Sequence, residues 1–163
     1  MTATTVQVPV RLDFDAHAPA FAKALAHLDN AATRQLDQVD FDHRLRELVR
    51  IRASQLNGCA YCIDMHTKDA RAAGETEQRI YALPAWRETP FFTDRERAAL
   101  AWIEAITLVS QTHVPDAVYE EVRKHFSEKE IFDLTFIATT INAWNRIAIS
   151  ARTPPGTYKR GAT

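Results

Sequence analysis

A chain of 163 residues with 25% charged side chains and a formal net charge of -1 has the size of one ordinary domain, able to bury a core without disulfides or metals. Near-neutrality removes any global field that would hold nucleic acid or an anionic membrane surface. The 4 glycines and 7 prolines are too few for a loop-rich β fold or a long disordered linker.

In chain order, Met1 to Asp15 carries no basic start followed by an apolar run and a small-residue cleavage site, so an irregular start and a cytoplasmic chain without secretory leader are expected. Pro19 opens a helix to about Gln38, with Phe21, Leu25, Leu28 and Leu36 at helical spacing. A second helix is predicted from about Phe41 to Leu56. Its stripe is Leu45, Val49, Ala53 and Leu56, with Leu48 beside it, and Asn57-Gly58 supplies the stop. Arg44, Arg46, Arg50 and Arg52 on this helix form a basic cluster that reads as helix solubility. A third helix begins at Cys59 and ends near Ala73, because Gly74 suits the left-handed position after a helix.

A shorter helix is predicted over Glu75 to Leu83, before Pro84, Trp86 and Pro90 force a loop. Thr93 with Glu96, and Ser127 with Glu130, have capping-box spacing and open helices at about 94–111 and 128–150. Pro115 starts a short helix between them. Ile131 to Ala151 is the most membrane-like stretch, but Asp133, Asn142, Asn145 and Arg146 interrupt it and make it a buried helix. No segment alternates with period two. The expectation is an all-α, single helical domain over residues 1–163, of about six to seven helices.

The two cysteines lie three positions apart. A structural disulfide there would close too small a loop to restrain the unfolded chain much, so reactivity is the better explanation. In Cys59-Ala60-Tyr61-Cys62-Ile63-Asp64-Met65-His66 the reactive groups stand at i, i+3 and i+7, within about 60° of arc on one helix face. A helix N-terminus favours negative charge and can bring a thiol pKa to about 7 or lower. His66, one turn after Cys62, can exchange a proton with it. Two other readings stand beside this one. His66 can be a core histidine, since Ile63, Ala70 and Ala73 share its face. Cys59, Cys62 and His66 can also hold zinc if His43 or His113 supplies a fourth ligand, although no second Cys-x-x-Cys exists.

Glu47 points away from the Leu45/Val49 stripe, and by itself reads as a solvated carboxylate pairing with Arg44 or Arg50. Its spacing elevates it: Glu47, eleven residues, Cys59-x-x-Cys62, three residues, His66 resembles the signature of the alkylhydroperoxidase D core within the carboxymuconolactone decarboxylase-like family. Arg50 to Ser54, His66 to Arg71, Glu96 to Ala101 and Ile141 to Arg146 are similar to single-motif members, so the likeness covers about residues 20–155.

That resemblance implies an all-α, usually oligomeric protein that reduces alkyl hydroperoxides. Cys62 would be the peroxidatic thiol, Cys59 the resolving thiol, and Glu47 with His66 a proton relay. It implies a peroxide substrate and a dithiol, thioredoxin-type or lipoyl-type reductant. No cofactor, bound metal, nucleic acid or membrane partner is expected. A homo-oligomer, trimer or hexamer, is expected because the last helix is apolar around much of its circumference and needs cover. One departure is Tyr61, where alkylhydroperoxidase D carries a second histidine. Tyr61 can hydrogen-bond the site or simply pack. Two other functions stay open. A lactone decarboxylase would need cations for its substrate's carboxylates, and Arg146 is the candidate, unless it makes a surface ion pair. A non-enzymatic helical module would merely pack its cysteines. Asn142 and Asn145 can be buried hydrogen-bond partners at a helix crossing.

Overall fold

The computed structural model describes residues 8–38 and 41–160. The stretch read for a secretory leader therefore lies partly outside the described residues. Among the described residues the chain is all-helical: α1 (Phe14–His17), α2 (Pro19–Asp37), α3 (His43–Asn57), α4 (Ala60–Ala72), α5 (Glu77–Ala82), a 3-10 segment (Leu83–Glu88), α6 (Asp94–Thr107), α7 (Val109–Thr112), α8 (Asp116–Val122) and α9 (Glu128–Ala151). Both predicted capping boxes form, at Thr93/Glu96 and Ser127/Glu130. No helix among the described residues is long and apolar enough to cross a membrane.

Short elements account for the extra helices. Asp13 caps the single turn α1, in a stretch expected to be irregular. The loop expected around Pro84 and Trp86 is the 3-10 segment, with Leu83 and Trp86 buried. The helix expected to reach residue 111 stops at Thr107, because Leu108 leaves helical geometry, and α7 follows.

The centre of the bundle is α3, which packs against α4, α6 and α9. Leu48, Val49 and Ile51 meet Leu100, Ile103, Leu134 and Ile137 in one core, each worth about 1.5–3 kcal/mol of transfer free energy when fully buried. With helices on several sides, α3 has little solvent face: every residue from Leu45 to Ile51 is buried, charged ones included. The basic cluster is therefore not for solubility. Only Arg44 lies at the surface, paired with Asp42, whereas Arg46, Arg50 and the Arg52 side chain are largely enclosed and salt-bridged. Arg52 donates to Glu104 at 2.6 Å, and Trp86 and Arg87 donate to the same carboxylate.

The inward side of α2 also differs from its apolar stripe. Phe21 is 76% exposed, and Leu28 faces outward too, while Ala32 and Leu36 are buried. The helix is turned so that Asp29 and Thr33 reach Arg50, and Thr140 of α9 donates to Asp29.

Gly58 joins α3 to α4 with a single left-handed residue at φ 73°. The Cys59 N–H donates to Ser54 O at 2.9 Å, closing the end of α3 and starting α4 at once. No heavy atom would meet a Cβ there, so the conformation alone is the constraint. Gly58→Val should cost more than about 1 kcal/mol in urea unfolding, and Gly58→Asn distinctly less, since asparagine tolerates this region. Equal losses would mean that backbone conformation is not what selects glycine.

Candidate active site

Cys59 is the N-cap of α4, with extended backbone, rather than its first helical residue. Its sulfur accepts the Cys62 N–H at 3.4 Å. Both thiols are buried and unbridged. The helix N-terminus does not act on the two equally. Cys59 is lowered to about 7, chiefly because the Cys62 thiol donates to it, with further help from the Cys62 and Tyr61 backbone N–H groups. Cys62 is pushed up, because it donates that hydrogen bond and is buried beside the sulfur that ionises first.

Asn145 of α9 lies within hydrogen-bonding reach of both sulfurs and favours both thiolates. It is fully enclosed, accepting from Asn57 at 2.8 Å and donating to Ser54 at 3.1 Å. Asn142 continues the chain, accepting from Asn57 and donating to Thr107. These asparagines are the buried hydrogen-bond partners expected at a helix crossing. What the sequence did not reveal is that one of them touches the cysteines.

Glu47 and His66 do come together. His66 Nδ1 donates to Glu47 Oε2 at 2.8 Å, and Arg50 donates to Glu47 Oε1 at 2.9 Å. Glu47 is only 7% exposed, so the solvated reading is wrong: His66 of α4 meets it, and Asp29 and Thr33 of α2 reach Arg50 beside it. Burial pushes its carboxyl up, but the His66 hydrogen bond and the Arg50 charge outweigh this and hold it at about 2. Asp69 completes the neighbourhood, accepting from Tyr158 of the C-terminal segment at 2.9 Å and 3.0 Å. Burial and Asp69 raise that tyrosine to about 12. Among the described residues, the convergent ligand-type cluster is Glu47, His66 and Asp69. The set imagined for zinc, Cys59, Cys62 and His66 with His43 or His113, is not gathered. His43 instead pairs with Asp37 and Arg46, and His113 caps α7.

Two cavities flank Tyr61, which packs against the core and walls both of them. One, of about 350 Å³, reaches Cys62 between Phe14, Met65 and Trp144, with Asp13 and Asp15 in its lining and no cation. The other, of about 620 Å³, reaches Cys59. Arg146 lines neither. It is exposed on α9 and donates to Asn142 of its own helix at 2.8 Å and 2.9 Å, with no ion pair among the described residues.

Residues 19–105 match the model of the carboxymuconolactone decarboxylase family. The chain belongs to that family. Within it, the chain is similar to the uncharacterized protein YdfG of Bacillus subtilis (strain 168), 53% identical over 113 residues, which are 69% of this chain and 77% of that protein. It is also similar to a crystal structure of a protein of unknown function from Agrobacterium tumefaciens, whose suggested role is antioxidant defence protein AhpD. That likeness has TM-score 0.85 and 38% identity, and covers 92% of this chain and 100% of the other. The debrominase Bmp8 has the same fold at TM-score 0.69 and 20% identity, covering 85% of this chain and 73% of that one. This carboxymuconolactone decarboxylase family member therefore has the alkylhydroperoxidase D-like fold.

The low Glu47 pKa ties the site to stability. A carboxyl whose folded pKa is depressed stabilises the fold fully above its unfolded value, about 4.3, and loses that contribution as pH falls towards the folded value. Glu47→Gln should cost about 1.5–3 kcal/mol near neutral pH, by weakening the charged hydrogen bonds to Arg50 and His66 while Arg50 keeps its pairing with Asp29. The gap from the parent should narrow from about pH 4.3 downwards, towards the folded value of about 2. Urea unfolding across a pH series checks this. A constant gap down to acid pH would show that the charge is not the cause.

Proposed function

We propose that this protein is a thiol-dependent peroxidase acting on organic hydroperoxides. The observation that carries the reading is that Cys62 lines the cavity walled by Phe14, Met65 and Trp144, on the same helix that holds His66 against Glu47. A thiol pushed up needs a base, and the Glu47–His66 pair supplies one on that helix; Cys59 needs none. His66 takes the Cys62 proton, and the Cys62 sulfur attacks the distal peroxide oxygen. The O–O bond breaks, the alkoxide receives the proton from His66, and Cys62 becomes a sulfenic acid. The Cys59 thiolate then attacks the Cys62 sulfur, hydroxide leaves as water after protonation, and a Cys59–Cys62 disulfide forms. A dithiol returns two electrons. We place this cycle in the cytoplasm, where lasting disulfides are rare and catalytic ones persist only transiently.

The family name raises lactone decarboxylation as a second reading. The Cys62 cavity does not favour it, because it offers aspartates where substrate carboxylates would need cations. Arg146 lies outside it.

With one equivalent of an organic hydroperoxide, Cys59→Ser should accumulate a Cys62 sulfenic acid trapped by dimedone, and Cys62→Ser should lose rapid peroxide consumption. His66→Gln and Glu47→Gln should slow thiol oxidation by about a hundredfold to ten-thousandfold per folded molecule. Dimedone labelling of Cys59 in Cys62→Ser at the parent rate would make Cys59 the nucleophile. Retention of both alkylatable thiols after peroxide would end the peroxidase reading.

The assembly belongs to the same proposal. Phe132 and Phe136 stand exposed and in contact on α9, with ring centroids 6.4 Å apart, and fit a subunit interface of a trimer or hexamer. Light scattering should give a multiple of 18.5 kDa. Phe132→Asp with Phe136→Asp should reduce it to the monomer. A monomeric parent at micromolar concentration would reject the idea.

A further inference from the structure

Past α9 the chain is turned back over α4. Arg152 ends α9 in the left-handed conformation at φ 55°, and the Thr153 N–H closes the helix on Ala148 O at 2.9 Å. Gly156, at φ 86°, turns the chain again, and its N–H donates to Asp64 Oδ2 of α4 at 3.0 Å. Lys68, also of α4, donates to Tyr158 O at 3.2 Å. From Pro154 to Arg160 every residue is exposed except Tyr158, which is half-buried. Its hydroxyl donates to both oxygens of Asp69, at 2.9 Å and 3.0 Å. Burial, Asp69 and, more weakly, the charge of Glu47 raise this phenol to about 12, so it remains a donor at neutral pH. No step of the peroxide cycle uses it.

Asp69 is a group that needs occupying. One of its oxygens, one of Glu47 and a ring nitrogen of His66 lie within 4.8 Å of one another, so a single histidine stands beside two carboxylates. His66 Nδ1 donates to Glu47 at 2.8 Å, which leaves Nε2 as the nitrogen that takes a proton. Asp69, one turn further along α4, is the rival acceptor. Hydrogen bonds to a charged acceptor are roughly twice as strong as neutral ones. An unoccupied Asp69 would therefore draw His66 off Glu47 in part of the molecules. Arg160 is a poor substitute for the phenol, because its side chain is 60% exposed and stands 3.9 Å away. We propose that Tyr158 is a positioning residue for the proton relay: it occupies Asp69 and so keeps His66 on Glu47. This role rests on His66 being the base for Cys62, as in the cycle above. It extends the site to a segment outside the family-matched residues 19–105. Without the phenol, His66 divides between two orientations, and Cys62 loses its proton more slowly.

The test compares the parent, Tyr158→Phe, and Tyr158→Phe combined with Asp69→Asn. Each is made with Cys59→Ser as well, which leaves Cys62 the single cysteine, and its alkylation by iodoacetamide is followed per folded molecule. Tyr158→Phe should slow alkylation about threefold to tenfold, the worth of one hydrogen bond. Adding Asp69→Asn should recover most of that loss, because a neutral amide is the weaker rival for His66. A tyrosine that merely anchors the C-terminal segment predicts the reverse, since removing its partner too would deepen the loss. Parent alkylation rates in Tyr158→Phe, or a loss that Asp69→Asn does not relieve, would overturn the proposal. Oxidation by cumene hydroperoxide, measured with Cys59 in place, separates this from the peroxidase reading. If it oxidises the parent while the alkylation pattern is absent, the peroxidase reading stands and the role of Tyr158 falls. If it oxidises none of the proteins while the alkylation pattern is present, the peroxidase reading falls and Tyr158 keeps its role.

Discussion

A carboxylate taken out of water inside a helical bundle has to be matched by hydrogen bonds and opposite charge, and Glu47 is matched on both sides. Arg50 donates to one oxygen and His66 to the other. Arg50 in turn reaches Asp29 and Thr33, so the orientation of α2 follows from the same charge. The unfavourable part of the arrangement is considerable, since an unpaired buried ion costs several kcal/mol. The result is a histidine held in a fixed orientation one turn from a cysteine. A flexible surface carboxylate would not hold that histidine so firmly.

The cysteine pair shows a second consequence of local geometry. Because Gly58 ends α3 within one residue, Cys59 arrives at the N-cap of α4 instead of its first turn. Its sulfur collects backbone N–H groups and the Cys62 thiol, which lowers Cys59, while burial and that same hydrogen bond push Cys62 up. Two thiols three positions apart thereby stand in different surroundings. Asn145, reaching across from α9, joins this pair to the crossing with α3. The surroundings of the cysteine pair and the packing of the longest helix involve the same side chain.

One fold can carry different chemistries, and this chain shares its fold with a debrominase. Here Tyr61 divides two cavities, one acidic and aromatic at Cys62, the other cationic and apolar at Cys59. Both are walled by the chain's terminal segments, Val8 to Asp15 and Thr153 to Pro155, which lie outside the family-matched stretch of residues 19–105.

By itself, the sequence determined the helical class, the capping boxes at Thr93 and Ser127, the stop at Gly58 and the placing of Cys62 and His66 one turn apart on one helix. These are local matters, settled within one or two turns of chain by periodicity and capping chemistry. It also carried the spacing that marks Glu47, though not the reason for it. Only the tertiary structure decided that Glu47, Arg46 and Arg50 are buried, because helical periodicity describes a helix with one wet face and α3 is covered by several neighbours. Only the tertiary structure brought Asn145 to the sulfurs and Tyr158 to Asp69, 89 positions apart in the chain. Residues that far apart meet through the way helices stack, and a single chain's local pattern holds no record of that.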